Sequence, residues 1–259
     1  MNREDNLDFC IRYLMEQDKV EMKLPAAIGD KKRMLRALMN VWVPQPLSEE
    51  FLKAQDAELQ MQLKEKGVVE AEGRLWKGDI TRLKVDAIVN AANSRMLGCW
   101  HPLHGCIDNA IHSAAGLQLR VECAEAMSGT ECPQIHPEYT FEGVTYREAF
   151  TSETIVTKGY NLPAKYVIHT VGPIIAQGIP TQEQERQLSW CYKNSIALAE
   201  ANGCQSIAFC CISTGEYRFP NRRAAEIATD ACKDASIRVV FNVFKDIDYD
   251  IYCGLLGTH

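Results

Sequence analysis

Apolar residues recur at helical spacing in the first part of the chain and in continuous runs beyond it. Leu7, Cys10, Ile11, Leu14 and Met15 mark one face of a first helix. Pro25 and Gly29-Asp30 interrupt that pattern. Met34, Leu35, Leu38 and Met39 stripe a second helix from about Lys31 to Val41. Val43-Pro-Gln-Pro-Leu-Ser48 breaks it. Ser48-Glu-Glu-Phe opens a third, with Ser48 as cap and acids in the first turn, and it runs to about Lys66, before Gly67. No catalytic pattern lies in these segments, so residues 1–67 read as a helical N-terminal extension docked on the main domain, residues 68–259.

From Val68 the pattern changes. Strands are expected at Arg74–Lys77, Val85–Asn90, Thr154–Lys158, Tyr166–Val171, Ser206–Ile212 and Val239–Phe244. Several are unbroken apolar runs, as strands covered on both faces require. Helices are expected at Ile107–Ala114, Glu183–Asn202, Asn221–Ser236 and Asp248–Leu256, with Leu117–Ala126 a further helical stretch and Cys132–Pro137 a loop. The alternation predicts a three-layer α/β domain. The boundary between the two parts falls near Gly67 to Gly73.

Composition narrows the class. The chain has 259 residues, 46% hydrophobic and 24% charged, enough for one good core. The formal charge of -6 argues against a nucleic-acid partner, which favours a basic stripe. No apolar run reaches the roughly 20 residues of a spanning helix, and the start has no signal-peptide pattern. Eleven cysteines, an odd number, suggest reduced thiols and a cytoplasmic setting. Most are expected to be core residues, among them Cys204, Cys210, Cys211 and Cys232. A monomer is the default expectation.

Four stretches carry candidate chemistry. Gly78-Asp-Ile-Thr81 follows a short strand and on its own is a turn with Asp79 as cap. Asn90-Ala-Ala-Asn93 sits at a strand end, where amides can bond sugar hydroxyls or hold a water. Gly98 to Gly116 packs Cys99, His104 and Cys106 into eight residues, then Asp108 and a helix start. Two thiols and an imidazole form a zinc-type donor set, and three protein ligands leave a fourth position open. His101 competes with His104 for the third place. His112 reads as a packed helix histidine. Ile212-Ser-Thr-Gly-Glu-Tyr-Arg-Phe-Pro220 lies between a strand and a helix, where backbone N–H groups can hold phosphate.

Together these stretches resemble the macrodomain family. The resemblance rests on Gly78-Asp-Ile-Thr81, Val85-Asp-Ala-Ile-Val-Asn-Ala-Ala-Asn93, Ile107-Asp-Asn-Ala-Ile-His-Ser-Ala-Ala-Gly116, Gly159-Tyr-Asn-Leu-Pro-Ala-Lys-Tyr-Val-Ile-His-Thr-Val-Gly-Pro173 and Ile212-Ser-Thr-Gly215, all in order. Where most macrodomains carry a glycine run, this chain has Gly98-Cys-Trp-His-Pro-Leu-His-Gly-Cys106. That departure is similar to the zinc-dependent microbial branch of the protein-ADP-ribose hydrolases, as are Leu35-Arg-Ala-Leu-Met-Asn-Val and Leu47-Ser-Glu-Glu-Phe-Leu-Lys in the extension.

The resemblance implies an α/β/α macrodomain with a mixed central sheet. It implies a zinc-dependent hydrolase that removes mono-ADP-ribose from protein side chains at the C1″ glycosidic bond. Asp79 and Ile80 would meet adenine, with Phe244 covering it. Asn93 and Asp108 would stand at the distal ribose and the attacking water as the catalytic pair. Ile107, Asp108 and Asn109 would present the helix start, next to Cys106. Ser213, Thr214, Gly215, Glu216 and Tyr217 would wrap the diphosphate. Cys99, His104 and Cys106 would hold one Zn2+ per chain. The partner implied is a mono-ADP-ribosylated protein, a lipoyl carrier protein among the candidates, with serine, aspartate or glutamate linkage. Rival readings in the same pocket are an ADP-ribose reader, an enzyme of free ADP-ribose derivatives (O-acetyl-ADP-ribose or ADP-ribose 1″-phosphate), and a closed zinc staple using His101 as fourth ligand.

Overall fold

The computed structural model describes residues 2–128 and 136–257. Three helices come first. Helix α1 (Arg3–Gln17) starts at Asn2, whose side chain accepts from the Asp5 amide; α2 (Ile28–Val41) begins earlier than the expected Lys31. Helix α3 (Glu49–Lys66) starts at Ser48, whose Oγ accepts from the Phe51 amide at 3.1 Å, and stops at Gly67 with φ 76°. The apolar stripes of all three meet in their own core of Leu7, Ile11, Leu14, Leu35, Trp42 and Phe51. Leu117 joins that core from the far side of the chain.

The remaining elements are β1 (Leu75–Lys77), β2 (Ala87–Ala92), α4 (Ile107–Ala115), α5 (Leu117–Ser128), β3 (Glu138–Phe141), β4 (Val144–Arg147), β5 (Thr154–Lys158), β6 (Tyr166–Val171), α6 (Gln182–Ala201), β7 (Ser206–Phe209), α7 (Asn221–Ala231), β8 (Arg238–Val243) and α8 (Asp246–Leu256). The six-stranded sheet has the order β1-β8-β7-β2-β6-β5. All neighbours are parallel except β5 against β6, so the sheet is mixed, as expected. In the central strand, Val89 pairs with Ile168 on one side and Phe209 on the other. Helices α6, α7 and α8 pack on one face, and α4 and α5 on the other. Continuous apolar runs in β2, β6 and β7 are the consequence of that double cover.

Several boundaries differ from the sequence pattern. Strand β2 begins at Ala87 rather than Val85, because Asp86 turns aside to accept from Gln205 N at 2.9 Å and Ser206 Oγ at 3.0 Å. Strand β7 stops at Phe209 rather than Ile212, and the chain leaves the sheet toward Ser213 at φ 64°. Helix α7 ends at Ala231 rather than Ser236, and α8 begins at Asp246 rather than Asp248. The β3–β4 hairpin has no counterpart among the expected elements. Its turn, Glu142-Gly143, has φ 48° and 78°, the left-handed pair of a two-residue hairpin loop. Most of the loop expected at Cys132–Pro137 lies outside the described residues. Among the described residues, no helix is long and apolar enough to cross a membrane.

Candidate active site

The C-terminal ends of the parallel strands all open on one edge of the sheet. Open α/β sheets place ligands there, because the loops and helix starts that follow the strands converge. Here they line a cleft of about 1280 Å³. Helices α2 and α3 close part of its rim through Arg36 and Lys66.

One end is built after β1. Asp79 Oδ1 accepts from Thr81 N at 3.0 Å and Thr81 Oγ1 at 2.6 Å. Its Oδ2 faces Lys66 Nζ at 3.1 Å. Burial alone would raise the Asp79 carboxyl, but the bonds from Thr81 and the charge of Lys66 outweigh it and hold the group below its usual value. It is therefore an ionised acceptor. Ile80 beside it is buried, and Phe244 stands 76% exposed at the rim.

The middle of the cleft belongs to the loop after β7. Ser213 is buried at φ 64°, in the left-handed region. Gly172, at the end of β6, makes room for it: a Cβ there would lie 2.0 Å from Ser213 Oγ. The loop closes on itself through Phe219 N to Ser213 O at 2.9 Å and Arg218 N to Gly215 O at 3.1 Å. The amides of Gly215, Glu216 and Tyr217 find no acceptor among the described residues, and neither does the buried Ser213 hydroxyl. Such a run of free donors is an anion nest.

The other end carries the donor set. Cys99, His104 and Cys106 place their ligand atoms within 4.8 Å of one another. Cys99 Sγ lies 3.5 Å from His104 Nδ1, and His104 Nε2 lies 3.6 Å from Glu216 Oε1 across the cleft. His101 is outside the group: its ring is exposed, and its carbonyl accepts from Asn109 Nδ2 at 3.0 Å. Among the described residues the group has three members and no fourth. Cys106 also caps α4, with Sγ 3.4 Å from Asn109 N. Burial pushes the Cys106 thiol up to about 12, although that amide pulls it down.

Asp108 sits in the first turn of α4, buried at the cleft wall. Its Oδ1 accepts from Asn90 Nδ2 at 2.7 Å, and Asn93 Nδ2 is 3.4 Å from its Oδ2. Burial pushes its carboxyl up to about 6, against the Asn90 hydrogen bond and the charge of Arg120. Behind it, Asn90 Nδ2 also meets His169 Nδ1 at 3.1 Å, and His169 Nε2 meets Thr157 Oγ1 at 3.0 Å. Burial holds both His169 and His112 far below their ordinary range, so both rings are neutral. His112 is thus the packed histidine the sequence suggests, 3.5 Å from Asp108 Oδ1 without being an ion pair.

Of the residues singled out in the sequence, the cleft gathers Asp79, Ile80, Asn93, Cys99, His104, Cys106, Ile107, Asp108, the Ser213–Tyr217 loop and Phe244. Asn109 is not among its lining side chains. It is fully buried and turned toward α2, where Arg36 Nη2 donates to its Oδ1 at 2.7 Å. Arg36 and Gly172 fall inside stretches that carry the resemblance without being singled out as site residues, and Lys66 falls in none. Each acts through a partner distant along the chain, and local pattern holds no trace of that.

A family model described as Macro domain matches residues 89–228. The chain is 42% identical over 277 residues to a protein-ADP-ribose hydrolase of Treponema medium, covering 99% of this chain and 100% of that one. It is similar to a solved Oceanobacillus iheyensis macrodomain with ADP, at 36% identity and a TM-score of 0.57, covering 71% of this chain and 88% of that one. A Trypanosoma brucei macrodomain in complex with ADP-ribose is 28% identical with a TM-score of 0.58, covering 86% and 95%.

Proposed function

The chain belongs to the macro domain family, and from that premise we propose that it is a zinc-dependent protein-ADP-ribose hydrolase. One observation carries the reading. The Cys99, His104 and Cys106 donors stand in the same cleft wall as Asn93 and Asp108, at the end of an anion-binding trough. A binding module needs the trough but not the donor set. The relative named protein-ADP-ribose hydrolase supports the hydrolase part of the reading.

The substrate lies along the cleft. Asp79 accepts from the adenine amino group, Ile80 lies against the ring and Phe244 covers it. The free amides of Gly215, Glu216 and Tyr217 and the Ser213 hydroxyl take the diphosphate, joined by the first-turn amides of Ile107 and Asp108, which find no acceptor among the described residues. Asn93 is left to orient the distal ribose, since its Oδ1 already accepts from Arg95 N at 3.0 Å and fixes its amide plane. Asp108 stands next to it to hold the attacking water and take its proton as the water oxygen bonds to C1″. The bond from C1″ to the side-chain oxygen of the modified protein breaks, and that oxygen leaves with the electron pair, as a carboxylate or protonated from solvent. The transition state gains oxocarbenium character, as in other glycosyl transfers.

The three donors suit zinc: two sulfurs and a nitrogen, clustered, with no fourth protein ligand among the described residues. A dication there would turn the neutral Cys106 thiol into a thiolate, with release of its proton. When bound, zinc supplies a Lewis acid beside the distal ribose. Glu216 Oε1 stands 3.6 Å from His104 Nε2, outside hydrogen-bond distance, while Nδ1 faces Cys99 Sγ as the ligand atom.

The test is Cys106→Ala. Metal content and release of ADP-ribose from a mono-ADP-ribosylated protein are both expected to vanish. Full activity in that variant would sink the zinc assignment. Turnover of O-acetyl-ADP-ribose or ADP-ribose 1″-phosphate with none on modified protein would favour the free-nucleotide reading.

A further inference from the structure

The loop that carries the three donors is short and irregular. It contains Pro102 and Gly105, and Leu103 adopts φ 58°, a conformation that disfavours a branched side chain. Within the loop, His104 N donates to His101 O at 3.2 Å. The anchors that hold the rest come from outside: two from α2, two from Asn109 on α4, and one from Asn93, whose Nδ2 donates to Gly98 O at 3.1 Å. Arg36 Nη2 donates to the His104 carbonyl at 3.3 Å, and Asn40 Oδ1 accepts from Leu103 N at 2.9 Å. Asn40 Nδ2 then reaches Ser113 Oγ on α4 at 3.0 Å. Arg36 also clamps Asn109 Oδ1 through Nη2 at 2.7 Å and Nε at 3.2 Å. Asn109 in turn holds the His101 carbonyl and the Cys106 sulfur.

We infer that helix α2 is a brace of the donor loop: Arg36 and Asn40 are positioning residues that set His104 and Cys106 at ligand spacing from Cys99. Donor geometry must be fixed by groups around the ligands, because flexible donors lose ordering entropy each time a metal binds. Here those groups sit on the helical extension, outside the sheet. The extension is therefore part of the metal site and not only a docked accessory. The functional meaning of the brace rests on the zinc reading above.

The sign of one effect separates a brace from simple electrostatics. Arg36 is a cation beside the donor set. Removing a cation should, by Coulomb's law alone, strengthen binding of a dication. Removing a brace should weaken it. Arg33, one turn away on the same helix, also lines the cleft but is exposed and has no ion pair or hydrogen bond from its side chain among the described residues, so it supplies the charge control.

The experiment measures zinc affinity of the full chain by competition with a chromogenic chelator, alongside the visible spectrum of the cobalt form. Arg36→Ala is expected to lose at least tenfold in zinc affinity, with a changed cobalt spectrum, while Arg33→Ala keeps or slightly gains affinity. Arg36→Lys keeps the charge but has one donor head for two acceptors, and is expected to fall between; it carries the test if Arg36→Ala does not fold. Affinity in both Arg36 variants equal to or above wild type would overturn the inference. Hydrogen exchange of residues 99–106 in the metal-free protein gives a second, independent readout. It is expected to quicken at least tenfold in Arg36→Ala, and unchanged exchange would overturn the brace whatever the zinc result. Cys106→Ser keeps the two readings apart. If that variant binds zinc as tightly as wild type, the zinc assignment fails, and the brace is judged by exchange alone.

Discussion

The Asp108 carboxylate accepts from Asn90 Nδ2 at 2.7 Å at the cleft wall, with Asn93 Nδ2 3.4 Å from its other oxygen. Two strand-end amides thus aim one buried acid at the point where the trough meets the donor set. Asp108→Asn keeps the shape and removes the proton acceptor. We predict a loss of turnover of about 100-fold or more, the scale of a general base. Binding of ADP-ribose should change by much less. Rates of ADP-ribose release, with calorimetric binding of free ADP-ribose, separate the two; a variant with wild-type turnover would remove Asp108 from the chemistry.

Gly172 and Ser213 form a lock between β6 and the trough. Gly172→Ala would place a methyl 2.0 Å from Ser213 Oγ and 2.9 Å from Ile212 Cγ2, so the loop must move. ADP-ribose affinity is expected to fall at least tenfold, about 1.4 kcal/mol. Adding Ser213→Gly removes the clashing hydroxyl and suits the positive φ, so the double variant should bind better than Gly172→Ala alone. Titration of Gly172→Ala, Ser213→Gly and the double variant checks it, and strict additivity would contradict the lock.

Acid should unfold this chain through its buried histidines. Burial lowers His169 to about 3, from an ordinary value near 6.5. Below pH 6.5 the unfolded chain binds a proton there that the folded chain refuses. Stability contributed by the neutral ring is present above that pH and is lost as pH falls from about 6.5 toward 3, with a slope of up to about 1.4 kcal/mol per pH unit for one site. His112 adds in the same direction. His169→Gln should be less stable at pH 7.5 but show a flatter slope below pH 6.5. Denaturant melts across pH measure it, and parallel slopes would assign the acid sensitivity elsewhere.

Arg120 joins the two halves of the fold. Its Nη1 donates to Met39 O at 3.0 Å and Trp42 O at 2.7 Å, at the end of α2, and its guanidinium lies 4.6 Å over the Trp100 ring. Burial lowers it to about 10, so it stays charged at neutral pH. Arg120→Met keeps the stem and orphans both carbonyls. A loss of about 2–6 kcal/mol is expected, since two buried carbonyls lose their donor. The melting temperature should drop by roughly 10 °C. A change under 2 °C would show that the carbonyls find other donors.

The α/β alternation, the three leading helices and the cleft-lining motifs are legible in the chain, because they follow from period and from residues at strand ends. His104 against His101 is open at that level and becomes a matter of geometry, since only His104 joins the two cysteines. Asn109 illustrates the opposite limit. Its place in the first turn of α4 suggests a face toward ligand, yet the side chain rotates into the α2 contact because Arg36 offers two donors there. Arg36 itself lies on the polar face of an ordinary amphipathic helix. Its partner is 73 positions away, and no local pattern records such a pairing.

Cys99, His104 and Cys106 are proposed to hold a metal that the hydrolysis requires. The most direct measurement is release of free ADP-ribose from a mono-ADP-ribosylated protein, with and without a chelator, together with the zinc content of the purified chain. About one zinc per chain and release that chelation stops and added zinc restores is the predicted result. Release at the same rate from a chain stripped of metal would contradict it.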